Sequence, residues 1–319
     1  MEFGLALSGG GARGAAHVGI LKALLEEGLM PSYVAGTSAG AIVGALFASG
    51  YTPEEIEGFF ISHGHKVLDY NFRGLAVFAF SLITQGHAKV DGLIRGARLG
   101  RLIRDFCADK GVFDIKDVRI PLAITAVDIN NGKLVLFVSR MPQSGRDKKA
   151  LYIDDAALWQ AVRASTAVPV VFRPEMVDGM RLVDGGVRNN VPADVLRSMG
   201  AKKVLAVNLG YAGQQKNDVD NILEIGVQSI DIMSYQISET LVQNADYLLL
   251  PGIFDVSLLE VEKIPRTIER GYRACRQHMQ EIKKALNHAS GTADFGAAPA
   301  NVVPFGSLKR QDFLKTNRK

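Results

Sequence analysis

LALSGGGARGAAHVGILKALLEEG, Leu5 to Gly28, joins three patterns without a break. Leu5-Ala6-Leu7 is apolar on successive positions, as expected of a parallel strand buried on both faces. Ser8-Gly9-Gly10-Gly11-Ala12-Arg13-Gly14 is a glycine loop, and Val18, Leu21, Leu24 and Leu25 then recur at helical spacing up to Gly28, a natural stop. A second strand-turn-helix unit, YVAGTSAGAIVGALFASG, follows from Tyr33 to Gly50 after the turn at Met30-Pro31. There Ser38 stands between Gly36 and Gly40, and Ala41, Gly44, Ala45 and Ala48 give the helix small residues for close packing on a sheet.

Read alone, Gly9, Gly11 and Gly14 satisfy a dinucleotide-binding spacing. That fingerprint also wants an acid at the end of the second strand to hold the ribose. Here the strand ends in Gly36-Thr37-Ser38, and the nearest acids, Glu26 and Glu27, belong to the preceding helix. What remains is a loop whose amides converge beside a helix N-terminus, suited to developing negative charge. As an oxyanion hole it would lose about 2.7–4 kcal/mol of transition-state stabilisation with each donor removed. The Gly36-Thr37-Ser38-Ala39-Gly40 turn supplies a matching nucleophile, its serine exposed on a sharp strand-to-helix turn.

The 319 residues are enough for one large domain or two. Hydrophobic residues at 47% and charged residues at 22% fit a globular chain and exclude disorder along its body. The net charge of +4 is modest, and Lys and Arg are dispersed, which argues against nucleic acid. The clearest basic group, Lys309, Arg310, Lys315, Arg318 and Lys319, reads as a solvated tail ahead of a contact patch. Cys107 and Cys275 lie far apart without metal-ligand spacing, so neither a disulfide framework nor a metal site is expected. No basic leader precedes the first strand and no apolar run reaches a spanning length. The expected location is cytoplasmic, with peripheral contact at the inner membrane surface.

Downstream, Thr52-Pro53-Glu54-Glu55 is a capped helix start. Residues 63–88 carry aromatics and a short apolar run without clear period, a core segment or else a cap over an acyl pocket. Gly92-Leu93-Ile94 opens an expected helix through Phe106. Pro121 to Asp128 and Lys133 to Val138 read as strands joined by an Asn-Gly turn, with an exposed loop at 140–149. A helix is expected from Asp154 to Ser165, strands at Val170–Phe172 and Arg181–Val183, and a helix near Pro192–Met199. Lys203–Asn208 reads as a strand, Ile222–Gln243 as a long helix, Asp246–Leu250 as a last strand and Ile264–Leu286 as one closing helix. This alternation implies an α/β fold with a largely parallel central sheet covered by helices. Residues 1–289 form the expected domain, and 290–319, Gly/Ala/Pro-rich and then basic, a poorly ordered tail.

A serine needs a base. His17 lies in the first helix, His63, His65 and His87 in the irregular segment, and His278 and His288 near the C-terminus on what reads as surface. Asp184 is better placed: it ends the apolar pair Leu182-Val183, and Gly185-Gly186 let backbone approach it. A carboxylate can take a serine proton directly if burial raises its proton affinity.

Gly9-Gly10-Gly11-Ala12-Arg13-Gly14, Gly36-Thr37-Ser38-Ala39-Gly40 and Asp184-Gly185-Gly186, in that order, resemble the patatin-like phospholipase family, in particular its bacterial members, which are similar to the catalytic region of neuropathy target esterase. Ala164-Ser165-Thr166-Ala167-Val168-Pro169 resembles a further block of that family, and the likeness runs from about Glu2 to Leu250. The resemblance implies the patatin-like three-layer fold, with helices on both faces of the sheet. It implies Ser38 as nucleophile and Asp184 as its base, without histidine. Gly9, Gly10 and Gly11 correspond to the oxyanion loop and Arg13 to its electrostatic support. The implied reaction is hydrolysis of phospholipid, lysophospholipid or simpler acyl esters through an acyl-serine, with no metal and no cofactor. Two other readings stay open: a Ser-His-Asp esterase using His278 or His288, and an adaptor that keeps the hydrolase fold to bind a partner. The sequence leaves the oligomeric state open.

Overall fold

The computed structural model describes residues 2–67, 91–142, 145–210, 219–220 and 222–287. Among these, nine strands form one sheet: β1 (Gly4–Leu7), β2 (Tyr33–Gly36), β3 (Leu122–Asp128), β4 (Lys133–Val138), β5 (Ala150–Ile153), β6 (Glu175–Val177), β7 (Met180–Asp184), β8 (Val204–Val207) and β9 (Tyr247–Leu249). Their order is β5-β4-β3-β2-β1-β8-β9, with β7 pairing β3 and β6 off that path. The run β3-β2-β1-β8-β9 is wholly parallel; antiparallel pairing enters only at β3-β4, β3-β7 and β6-β7.

Side chains alternate across the sheet, and the two faces differ in size. Leu5, Leu7, Val34, Leu122, Ile124, Leu205 and Val207 enter one core with the helices α1 (Ala16–Glu26), α2 (Ala39–Ala48) and α3 (Pro53–His63). Ala6, Ala35, Ala123, Val204 and Ala206 face the other way, onto Ala193, Val195 and Leu196 of the short helix Ala193–Ser198. This is the three-layer arrangement of an α/β domain. The helix α3 starts at the expected cap: Thr52 accepts the Glu55 amide, and Glu55 accepts the Thr52 amide at 2.7 Å.

Several elements differ from the sequence reading. Gly92-Leu93-Ile94 precede the helix Ala97–Asp109, because Ile94 bridges Phe172 instead. Val170–Phe172 is no strand: Val170 has φ 70°, which turns the chain. The closing helix is two, Ile264–Gln277 and Met279–Asn287, broken at His278. The helix expected from Asp154 begins at Leu158, and β5 and β6 carry too few residues to show a period. The proposed cap at 63–88 lies outside the described residues from 68 onward, as does the tail beyond 287. Among the described residues no helix is long and apolar enough to cross a membrane.

Candidate active site

β1 and β2 end level, Leu7 opposite Gly36, so the glycine loop and the serine turn leave the same sheet edge side by side. β8 flanks β1 on the other side, and the chain order reverses there, which opens a crevice beyond the strand ends. Ser38 stands in that crevice with φ 54° and ψ −120°, a backbone strain of about 1–3 kcal/mol for a residue with a side chain. Three bonds offset it. The Ser38 amide donates to Ser165 Oγ at 2.8 Å, the Thr37 amide to Leu7 O at 3.0 Å, and Thr37 Oγ1 to Asn189 O at 2.9 Å. The flanking glycines are required by contact: a methyl group on Gly36 would stand 2.4 Å from Gly40 O, and one on Gly40 2.2 Å from Leu7 O.

Asp184 arrives at the end of β7, opposite Ala126 of β3, while β3 runs beside β2. Its amide donates to Ala167 O at 3.0 Å, and its Oδ1 accepts the Gly186 amide at 2.7 Å. The Ser38 side chain lies near enough to this carboxylate to favour its ionised form. With 6% of its surface exposed, Asp184 is pushed up to about 6, chiefly by loss of hydration. The Ser38 side chain and the bond from Gly186 pull it back in part, and the charge of Asp231 adds a small rise. A carboxylate in this state is ionised at neutral pH yet holds a proton far more readily than an exposed one.

The glycine loop is held by its carbonyls. His17 Nε2 donates to Ser8 O at 2.9 Å, Ser8 Oγ to Gly9 O at 2.9 Å, and Arg13 Nε to Gly10 O at 3.2 Å. The His17 ring is fully buried, and desolvation lowers it to about 4, so it stays neutral and acts as a fixed donor. Arg13 is almost fully buried and pairs with Asp231 at 3.4 Å. In a trans peptide the next N–H points opposite to the carbonyl, so these bonds turn the Gly9, Gly10 and Gly11 amides away from His17, Ser8 and Arg13 respectively. The Gly9 amide donates to Asn190 Oδ1 at 3.0 Å.

Two pockets meet at Ser38, Gly11, Val168 and Leu258. One, of about 730 Å³ with its open mouth, is walled by apolar side chains that include Ile42, Phe59, Phe60, Leu99 and Phe172. The other, of about 520 Å³, is bordered by Arg13, Asn190, Asp231, Ser234 and the glycine loop. Asp184 borders the second pocket and is absent from the wall of the first. Ser38 therefore has an almost wholly apolar space on one side and, on the other, a space of mixed lining, the more polar of the two, that also holds a carboxylate of raised proton affinity.

The remaining histidines fall elsewhere. His63 lines the apolar pocket with Nδ1 3.2 Å from Phe59 O, and His278 is half-exposed, bonded to Tyr247 and Glu281. His87 and His288 lie outside the described residues, and among these no histidine borders the polar pocket. Among the described residues no group of three or more His, Cys, Asp or Glu is placed to hold a metal ion. Three residues that hold the site have no role in the sequence reading. Ser165 holds the Ser38 amide, while Ala167 of the same block holds the Asp184 amide. The block Ala164–Pro169 thus ties Ser38 and Asp184 together, and its likeness to a family block is the signal the sequence carries. Asn190 carries no such signal in the sequence.

The family model described as patatin-like phospholipase matches residues 5–197. The chain is 34% identical over 213 residues to patatin-like phospholipase domain-containing protein ZK370.4 of Caenorhabditis elegans, covering 65% of this chain and 13% of that protein. It is 32% identical over 215 residues to patatin-like phospholipase domain-containing protein 6 of Mus musculus, covering 65% of this chain and 13% of that one. Identity to neuropathy target esterase sws of Drosophila melanogaster is 30% over 222 residues, 69% of this chain and 14% of that protein. The match therefore spans about one eighth of the length of these curated relatives. Of solved structures, human GIVD cytosolic phospholipase A2 in complex with methyl gamma-linolenyl fluorophosphonate gives a TM-score of 0.47 at 14% identity, covering 89% of this chain and 58% of that one. VipD from Legionella pneumophila gives 0.44 at 16% identity, covering 88% and 67%.

Proposed function

The chain belongs to the patatin-like phospholipase family, and from that premise we propose that it is a serine acyl-hydrolase acting on lipid acyl esters, phospholipid or lysophospholipid, through a Ser38–Asp184 dyad. The observation that carries this reading is the position of Ser38 between an apolar and a polar pocket, with Asp184 on the polar side. An acyl chain would occupy the apolar pocket and the alcohol of the ester the polar one. Asp184 takes the Ser38 proton as Oγ attacks the carbonyl, and the oxyanion meets amides of the loop Gly9-Gly10-Gly11, in which the Gly9 amide is already taken by Asn190, with Arg13 as electrostatic support. The carboxyl group then stands beside the departing alkoxide and returns the proton to it. A water entering from the same side, deprotonated by Asp184, releases the fatty acid and restores Ser38.

Residues 1–289 are the unit to which we assign this activity. We further assign it to the cytoplasmic side of a membrane, where its substrates would be met by peripheral contact; two free, buried thiols, Cys107 and Cys275, support a reducing compartment. The test is mass spectrometry of products from a total lipid extract incubated with native protein or Ser38→Ala. Free fatty acid and a deacylated lipid should accumulate only with the native protein. Equal release by both would sink the reading.

A further inference from the structure

Asn190 lies 181 residues from Gly9 in sequence, yet its Oδ1 takes the Gly9 amide at 3.0 Å. That bond also fixes which end of the side-chain amide is oxygen, so Nδ2 points the other way, where a methyl group on Gly210 would stand 3.1 Å from it. On its Oδ1 side Asn190 stands next to the turn after Asp184. A methyl group on Gly186 would stand 3.1 Å from Asn190 Oδ1 and 3.1 Å from Asp184 Oδ1. The Gly186 amide is the donor to that same Asp184 oxygen.

We propose that Asn190 is a positioning residue that locks the oxyanion loop to the Asp184 turn. By accepting the Gly9 amide it removes that donor from the hole and leaves the Gly10 and Gly11 amides to meet the oxyanion. The loop's other bonds agree with this. The Ser8, Gly9 and Gly10 carbonyls are each held from within the loop or its helix, by His17, Ser8 and Arg13, and these bonds set the direction of the amides that follow. Among the described residues, the glycine-loop segment otherwise reaches the Asp184 turn only indirectly, through Arg13 paired with Asp231 on the helix whose Ser234 donates to Gly186 O. Asn190 makes the one side-chain bond recorded, among the described residues, between the Gly9–Gly11 amides and the turn after β7. The inference rests on Ser38 being the nucleophile and deepens that reading.

The test compares Asn190→Leu, of similar size without an acceptor, with Asn190→Asp, which keeps the acceptor and adds a charge. With a soluble acyl ester, Asn190→Leu should lower kcat by about 100-fold with KM within about twofold, since a shift near 1 Å in the loop weakens the transition state and not ground-state binding. Phosphonylation of Ser38 by a fluorophosphonate should slow by a similar factor. Asn190→Asp should melt below the native protein at pH 7, match it near pH 3.5, and move the acid limb of its rate profile up by about one pH unit, because a carboxylate would stand beside Asp184. The other charges facing Asp184 there are Asp231 and, paired with it, Arg13. A native kcat in Asn190→Leu, or a raised KM with kcat unchanged, would overturn the proposal. So would an unmoved acid limb in Asn190→Asp, which decides the matter even if the leucine variant does not fold. Ser38→Ala in the same assay is the separate control: if it still turns over, the hydrolase reading at Ser38 fails, whatever Asn190 does.

Discussion

Replacing Asp184 by Asn should stabilise the protein at neutral pH while removing its activity. The carboxylate is buried with its pKa raised from 3.8 to about 6, chiefly by lost hydration. Because the folded-state value lies above the unfolded one, the unfolded chain binds fewer protons between these two values. The folded state therefore loses stability as pH climbs through about 6, and the loss is complete by pH 7. At about 1.4 kcal/mol for each pKa unit, it amounts to about 3 kcal/mol. Asn carries no charge at any pH, can still accept the Gly186 amide through Oδ1, and is nearly the same shape. Asp184→Asn should accordingly exceed the native protein by about 3 kcal/mol at pH 7 and match it near pH 3.5. Urea unfolding of both proteins across that range measures the difference directly. His17, whose lowered value costs stability as pH falls below about 6.5 toward 4, is common to both and cancels. A difference that is independent of pH, or a variant no more stable than native at pH 7, would refute the claim that Asp184 is held ionised against its surroundings.

The same group sets the rate profile: kcat/KM on a soluble ester should rise with pH through an apparent value near 6 and level off above it, and a profile flat from pH 4.5 to 8 would exclude Asp184 as the base. Ser165→Ala leaves the Ser38 amide buried without its acceptor, so it should cost about 1–3 kcal/mol of stability on unfolding and slow turnover as the strained turn relaxes; unchanged kcat would show the turn needs no such support. Ile42→Trp adds bulk to the wall of the apolar pocket and should shift preference toward shorter acyl chains, read from kcat/KM over esters of increasing length. Uniform loss across the series would mean that the pocket does not hold the chain.

Much of the frame is legible because it is local. A strand of apolar neighbours, a glycine loop and a 3.6-period helix follow one another inside Leu5–Gly28, and no distant residue is needed to recognise them. The elements misread were those whose form depends on a distant partner. Ile94 leaves its expected helix to bridge Phe172, and Phe172 leaves its expected strand for the same contact. The closing helix breaks at His278, which is bonded to Tyr247 on β9.

The site divides in the same way. Ser38 could be read from Gly36 to Gly40, because both glycines answer to contacts made within the strand-turn-helix unit and its neighbouring strand. Asp184 could be read from the strand it ends and the glycines after it. The sequence by itself thus determined the fold class, the serine turn and the position of the candidate base, all carried by short-range patterns. Tertiary structure alone decided what the glycine loop does: Arg13 and His17 hold its carbonyls, and Asn190, 181 residues away, takes the Gly9 amide. A side-chain amide that accepts one backbone hydrogen bond leaves no periodic trace in a sequence. Only the parallel register of β1 with β2, and the antiparallel return of β7 along β3, bring the three turns to one edge where that bond can form.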